Sequence, residues 1–256
     1  VRYLRSTDNG DSWSFLRPWS ASDLGRENSL AADAAGGVYA AWWDTGKLPM
    51  DGPDIFVTRS TDNGGTWGSP VRAAAGPGTE WLPWLTVDPG RAVHLTYRGV
   101  PNLGWTCNVH HMASIDRGAT WHGSRQVNLI YGQSSTCGPV VTAADQRGIL
   151  HIVWERGGAE GNQDGIYYAT APRDRPVTHV SQQSSRPSII VDAYGRSHLL
   201  WVDDRSGDGD FVGFARDGSN RLYGLKHIGR VLRSSNSGVS WAYRGTVASE
   251  TFIALD

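Results

Sequence analysis

The chain has 256 residues and a formal net charge of −1, which gives room for one large domain. A charge this close to balance shows no electrostatic footprint for nucleic acid or an anionic membrane surface, and no apolar run approaches the length of a membrane span. No secretory signal is visible, as in a mature secreted protein or an excised fragment. We therefore expect one domain over residues 1–256, with no nucleic-acid partner and no membrane span.

An eight-residue phrase, Ser-x-Asp-x-Gly-x-Thr/Ser-Trp, recurs along the chain. It starts at Ser6, Ser60 and Ser114, so that the same spacing occurs twice, and a weaker copy over 234–241 has Asn236 in place of the aspartate. A period of roughly 40–55 residues that carries a turn motif between strand-like segments is typical of a β-propeller.

Each copy of this phrase reads as a hairpin turn. Asp can hydrogen-bond its own backbone two residues further on, and Gly takes a positive φ at no steric cost. The Thr or Ser hydroxyl can satisfy a loop amide, and the Trp is expected to pack under the turn and bury a large apolar face. We therefore interpret the phrases as folding devices rather than binding sites.

A second pattern alternates with the first, in which two apolar runs flank a turn that contains Asp and Gly. Its four copies span residues 30–42, 85–97, 140–154 and 189–201. Small and β-branched residues with some period-two alternation predict hairpins of inner strands. One inner hairpin and one outer hairpin together make a four-stranded antiparallel blade.

The later part of the chain is less regular. Residues 166–180 lack the phrase expected there, whereas 211–215, 221–226 and 230–233 each read as strands. This predicts six blades, with five as the alternative. Residues 251–256 read as an inner strand, so strands from both ends are expected to close the first blade. A second inner strand is missing there, which indicates a short blade or a chain that is incomplete at its C-terminus.

The three full phrases are Asp-boxes, and through them the chain resembles the sialidase and BNR-repeat superfamily along nearly its whole length. The resemblance implies an all-β fold, a propeller of four-stranded antiparallel blades with Asp-box turns on the outer hairpins. Asp-boxes occur in sialidases, other glycosidases, lyases, lectin-like modules and propellers without enzymatic activity.

Charged residues follow the inner hairpins, at the end of a propeller where functional sites lie. Arg98, Arg156 and Arg205 come closely behind the aromatic residue of three hairpins. Arginines at equivalent positions can converge on one anionic ligand and grip a carboxylate bidentately; the alternative is rim charges paired with neighbouring acids. The resemblance implies three arginines that hold a substrate carboxylate, and the matching positions are Arg26, Arg156 and Arg205.

The resemblance also implies an acid/base aspartate in the loop after the first inner hairpin. Asp51 matches it best, and Asp44 is the alternative. Retaining sialidases pair a Tyr nucleophile with a Glu, but the strand expected to carry that Glu begins at 136–139 without an acid, and no matching Tyr-Ser phrase follows. Glu155 and Glu80 are substitutes by residue type, and Glu155 is our candidate catalytic partner of Asp51.

Several tryptophans outside the phrases fall on or beside loops, where an exposed indole can stack on a sugar ring. We expect Trp43 and Trp84 to contact a carbohydrate. His94, His151 and His198 occupy equivalent strand positions, which favours packing; the alternative is a lyase base.

The two cysteines, Cys107 and Cys137, form one bridge or remain two buried thiols. No second ligand cluster accompanies the Cys and His residues at 107–111, so we expect no metal and no cofactor.

The sequence favours a sialidase-like glycoside hydrolase, of exo-α-sialidase type if it is an enzyme, that acts on an acidic sugar such as sialic acid. The alternative is a non-catalytic glycan-binding or protein-interaction propeller. An acidic glycan is the expected ligand, and the expected location is secreted, extracellular or periplasmic. The sequence leaves the oligomeric state open.

Overall fold

A computed structural model shows antiparallel β-sheets in the residues that it describes. These are residues 1–8, 10–18, 26–45, 52–76, 78–100, 108–127, 136–157, 165–171, 177–182, 184–203, 211–216, 222–226, 230–234 and 242–246. Within these ranges, no helix is long and apolar enough to cross a membrane. Cys107 and the predicted closing strand over 251–256 lie outside them.

The described strands form six sheets, in which neighbours in the chain pair with each other. A two-stranded sheet comes first, with β1 (Arg2–Arg5) and β2 (Ser14–Pro18). The next two sheets are four-stranded, with β3 (Arg26–Ala32), β4 (Val38–Asp44), β5 (Asp54–Ser60) and β6 (Val71–Ala74), then β7 (Thr79–Val87), β8 (Val93–Val100), β9 (Asn108–Ser114) and β10 (His122–Gln126).

The fourth sheet also has four strands, β11 (Thr136–Ala144), β12 (Leu150–Gly157), β13 (Gly165–Ala171) and β14 (Thr178–Gln182). A two-stranded sheet follows, with β15 (Ser184–Val191) and β16 (Ser197–Asp203). The last sheet comprises β17 (Phe211–Arg216), β18 (Leu222–Lys226), β19 (Arg230–Ser234) and β20 (Ala242–Thr246). The four predicted inner hairpins are therefore present as β3–β4, β7–β8, β11–β12 and β15–β16.

Neighbouring sheets pack against each other along their first strands. Strand β3 lies beside β7, β7 beside β11, and β11 beside β15. The Leu85 amide donates to Ser29 Oγ at 3.0 Å, and Thr86 Oγ1 donates to the Thr142 carbonyl at 3.2 Å. These first strands each begin at one end of the sheets, where the second strands finish. We call this end the mouth.

The core lies between the sheets, because both faces of central strands such as β4, β8 and β12 are covered. Ile55 and Val57 of β5 pack with Leu85, Val93 and Leu95 of the next sheet, and all five are fully or almost fully buried. Strand β12 is buried along most of its length. Burial on two faces explains why these strands read as near-continuous apolar runs with weak alternation.

The turns opposite the mouth share one hydrogen-bonding device. The Asp145 carboxylate accepts the backbone N–H groups of Arg147 and Ile149, both at 2.8 Å, and His151 lies beside it. Equivalent aspartates stand at positions 33, 88 and 192. Each forms a hydrogen bond with the side chain six positions later, which is Tyr39, His94 and His198, respectively. The histidines thus lie against the turns, which supports the packing role predicted for them.

The eight-residue phrases form loops with a different internal network. Ser60 Oγ accepts the Gly64 N–H at 2.9 Å, and the Asp62 carboxylate accepts the Thr66 N–H at 2.8 Å. The aspartate therefore reaches the backbone four residues further on, not two as expected. The Ser60 hydroxyl also donates to the Asp62 carboxylate at 2.6 Å, and this bond, followed by those from Thr66, holds the pKa of Asp62 below its usual value.

The tryptophans of these loops differ in burial. Trp67 is half-buried, and its ring meets Tyr3 edge-on at 4.9 Å. Trp13 is 63% exposed, so the expected burial is wrong there. Its sheet contains only β1 and β2 among the described strands, and its indole N–H bonds the Gly10 carbonyl within the same loop.

The loop glycine at position 64 gives a test of this architecture. Gly64 has a φ of +78°, and a Cβ there would overlap the Tyr3 hydroxyl of the preceding sheet. We expect Gly64→Ala to lower the unfolding free energy by about 1–3 kcal/mol, measured by chemical denaturation. Gly68→Ala is the matched control, because its Cβ would meet only the Arg59 carbonyl, at 3.6 Å. Equal stabilities of the two variants would contradict this packing.

Candidate functional site

Each first strand carries a bulge close to the mouth. The pairing register shifts between Arg26 and Asn28, Trp81 and Trp84, Cys137 and Val140, and Ser185 and Ser188. Three residues in these bulges have positive φ although they are not glycine: Glu27 (37°), Leu82 (51°) and Arg186 (52°). Bulges of this kind re-aim side chains at the rim of a sheet.

The bulges define a set of equivalent positions at the mouth. The residues before them pair across to the second strands as Arg26 with Trp43, Trp81 with Arg98, Cys137 with Arg156, and Ser185 with Val202. A sequence signal for this was present, since Leu82, Gly138 and Arg186 all precede proline. The predicted residues Arg26, Trp43, Arg98 and Arg156 therefore belong to one structural layer.

Two sheets join at the mouth through an aromatic and charged cluster, made of Glu27, Trp43, Trp81 and Arg98. The Trp43 and Trp81 rings stack with centroids 6.4 Å apart, and the Arg98 guanidinium lies over Trp81 at 5.2 Å. Trp43 Nε1 donates to the Glu27 carboxylate at 2.5 Å. Burial lowers the pKa of Arg98, with Glu27 opposing the shift, but an arginine remains charged. Sequence reasoning missed Glu27.

Arg156 occupies the equivalent place in the next sheet. It is only 8% exposed, and its guanidinium lies over the Tyr167 ring at 5.9 Å. Its Nη1 is buried and meets no hydrogen-bond acceptor among the described residues. A buried cationic donor without an acceptor is costly, so this group is suited to an incoming anion.

Glu155 lies next to Arg156 but reaches towards the following sheet. Its Oε2 accepts the backbone N–H of Arg186 at 3.0 Å. The side chain passes over Gly138, where a Cβ would lie 2.7 Å from Oε2. The carboxylate of this candidate acid is thus hydrogen-bonded to a backbone amide of β15.

Trp84, the other predicted tryptophan, is 39% exposed on β7. Its Nε1 donates to the Thr142 carbonyl of β11 at 3.3 Å, which fixes the indole between the first strands of two sheets. Asp51, Arg205 and the side chain of Arg26 lie outside the described part of the structure, so their roles stay predictions. Asp44, the alternative acid, is buried at the end of β4 opposite Asp54.

Glu80, at the start of β7, is a buried carboxyl near the mouth. It is 9% exposed, and its amide donates to the Pro53 carbonyl at 2.8 Å. Burial raises the pKa of Glu80 to about 7, with the negative Asp54 adding to the shift and Arg72 opposing it. Arg72 itself bonds Asp54 at 2.6 Å, so Glu80 lies beside an existing ion pair. Across the ranges described above, no group of three or more His, Cys, Asp or Glu side chains could hold a metal ion.

No protein-family model and no curated protein matches the chain. Solved structures match it in fold. The Hadza microbial sialidase Hz136 has a TM-score of 0.57 at 14% identity, over 91% of this chain and 61% of that one. The GH93 α-L-arabinofuranosidase of Fusarium graminearum in complex with arabinobiose has a TM-score of 0.60 at 13% identity, over 98% and 75%.

YCF48 bound to D1 peptide also matches, with a TM-score of 0.53 at 14% identity, over 95% of this chain and 74% of that one. Identities this low show the fold alone, and that fold is a sialidase-like β-propeller. This chain spans less than two thirds of the sialidase's length.

The raised pKa of Glu80 makes stability depend on pH. The folded state binds this proton more tightly than the unfolded chain, whose carboxyl has a pKa near 4.5. The unfolding free energy should therefore decrease as pH rises from about 4.5 to about 7. We expect Glu80→Gln to melt at a higher temperature than wild type at pH 8 and close to wild type at pH 4.5. Melting curves that shift equally at both pH values would contradict this.

Proposed function

We propose that the protein is a sialidase-like, carbohydrate-active propeller that binds an acidic sugar at the mouth and hydrolyses its glycosidic bond. The observation that carries this proposal is the buried Arg156 guanidinium, whose Nη1 meets no acceptor among the described residues. A ligand carboxylate would offset the cost of burying that donor, and arginine suits a planar carboxylate.

The cluster of Glu27, Trp43, Trp81 and Arg98 supplies the second element of the proposed site. Half-buried indoles offer apolar faces that complement the C–H surface of a sugar ring. Arg98 lies over the Trp81 ring at the strand position equivalent to Arg156, so cations occur on two neighbouring sheets. This charge favours an acidic sugar over a neutral one such as the arabinobiose bound by the Fusarium enzyme.

The remaining assignments extend the proposal to chemistry and architecture. Asp51 is the proposed acid/base, and Glu155 is the proposed second carboxyl. Arg26 and Arg205 are proposed to bind the ligand carboxylate together with Arg156. We further propose six blades, Asp-box turns on the outer hairpins and a secreted, extracellular or periplasmic location. The six described sheets and the spacing of the phrases support this architecture.

A non-catalytic propeller that binds a glycan or a peptide is the second candidate. It is favoured by the strand start Thr136–Pro139, which has no acid where a sialidase-like nucleophile pair would need one, and by the engagement of Glu155 with a backbone amide. YCF48, which has a similar fold, is bound to a peptide.

The binding part of the proposal is tested with 3′-sialyllactose and lactose in isothermal titration calorimetry. We expect wild type to prefer sialyllactose, and Arg156→Gln to weaken that binding by roughly 10- to 100-fold, since a charge-assisted hydrogen bond contributes about 1.5–3 kcal/mol. Arg147→Gln is the control, because Arg147 is an exposed arginine paired with Asp145 at the opposite end. Equal affinity for both sugars would exclude an acidic ligand.

The catalytic part is tested with an aryl sialoside and release of the phenol. We expect turnover by wild type and a loss of roughly 100-fold or more in kcat for Asp51→Asn, the range that general acid–base catalysis contributes. Binding without turnover would favour the second candidate. Turnover unchanged in Asp51→Asn would remove Asp51 from the mechanism and leave the binding proposal intact.

A further inference from the structure

We propose that Arg186 supplies a further cationic contact to the acidic ligand, and that Glu155 is the positioning residue that holds it at the mouth. This inference rests on the proposed function. It assigns a ligand-binding role to a residue that does not follow an inner hairpin, and it gives Glu155 a positioning role in addition to that of the proposed second carboxyl.

Arg186 stands in the bulge at the start of β15, on the layer that Glu27 and Leu82 occupy in earlier sheets. It is exposed, whereas the next residue, Pro187, is buried. Its φ of 52° is uncommon for a residue with a side chain, and a following proline restricts the backbone further. Strained conformations of this kind persist where the surroundings fix them, and they cluster at ligand-binding sites.

The group that fixes this bulge comes from the neighbouring sheet. Glu155 Oε2 accepts the Arg186 N–H at 3.0 Å, and this acceptor satisfies a backbone donor that the bulge removes from the strand ladder. Gly138 makes room for it, because a Cβ there would lie 2.7 Å from Glu155 Oε2 and 2.8 Å from its Cβ and Cδ. The Arg186 bulge, the Glu155 carboxylate and Gly138 therefore pack together across two sheets.

The arrangement places a further arginine at the same end as Arg26, Arg98 and Arg156. Arg156 pairs with Cys137 at the start of β11, and Glu155 ties the adjacent position of β12 to Arg186. An arginine on an exposed bulge presents several N–H donors with the geometry that a carboxylate accepts. The Glu155 carboxylate accepts the Arg186 N–H and so holds the backbone of the bulge in place.

The test titrates 3′-sialyllactose into wild type and variants, with melting temperature as the folding control. We expect Arg186→Gln to weaken binding by roughly 10- to 100-fold and to reduce the dependence of affinity on salt. Glu155→Gln should retain most of the affinity, because the amide oxygen still accepts the Arg186 N–H. Glu155→Ala and Gly138→Ala should both weaken binding, since each removes or displaces that acceptor.

The outcomes separate this inference from the function on which it rests. No binding by wild type, or equal binding by wild type and Arg156→Gln, overturns the proposed site and the inference with it. Binding that depends on Arg156 but is unchanged in Arg186→Gln overturns the role of Arg186 alone. An equal loss in Glu155→Gln and Glu155→Ala overturns the positioning role, because the charge of Glu155 would then matter rather than its acceptor.

Discussion

The hydrogen bond from a backbone amide to an aspartate carboxylate is the interaction on which this structure depends. The strands are short and end at tight turns, so these hairpins must satisfy turn amides locally. Asp33, Asp145 and Asp192 do this opposite the mouth, and Asp62 and Asp116 do it in the eight-residue loops. Burial alone would raise the pKa of Asp145, but hydrogen bonds from Ile149 and Arg147 hold it below its usual value. The stabilisation is therefore present at neutral pH and lost as pH falls.

Because aspartate hydrogen bonds fix the turns opposite the mouth, the residues at the mouth can differ from sheet to sheet. The residues before the bulges are Arg26, Trp81, Cys137 and Ser185, a set with no chemistry in common. Their backbone geometry is nevertheless shared, since each strand shifts register at the same point. A constant scaffold with variable residues at one rim is how one fold supports several functions, and it explains why similar folds occur in a sialidase, an arabinofuranosidase and a peptide-bound protein.

The sequence predicted the hairpins well because their signals are local. The turn at Asp88, for example, is flanked by apolar runs on both sides, and β7 and β8 follow those runs closely. The bulges escaped prediction because one extra residue leaves the apolar pattern almost unchanged, and only the x-Pro pairs mark them. The contact between Glu155 and Arg186 joins residues 31 positions apart, so no local pattern encodes it. Exposure of Trp13 depends on how many strands its sheet contains, which is also a long-range property.

The proposed binding and the proposed catalysis depend on different parts of the chain. Strands hold the cations and the aromatic rings. Arg98 and Arg156 lie close to the ends of second strands, and Trp43 and Trp81 stack across two sheets. The proposed acid/base, Asp51, lies in the sequence between β4 and β5, and the Glu155 carboxylate accepts a hydrogen bond from a backbone amide of the next sheet. Packing fixes the geometry of side chains on strands. Catalytic side chains on connecting loops can change from protein to protein without a change in the strands. The proposed recognition of an acidic sugar therefore requires only residues near the strand ends, and the proposed hydrolysis requires Asp51 in addition.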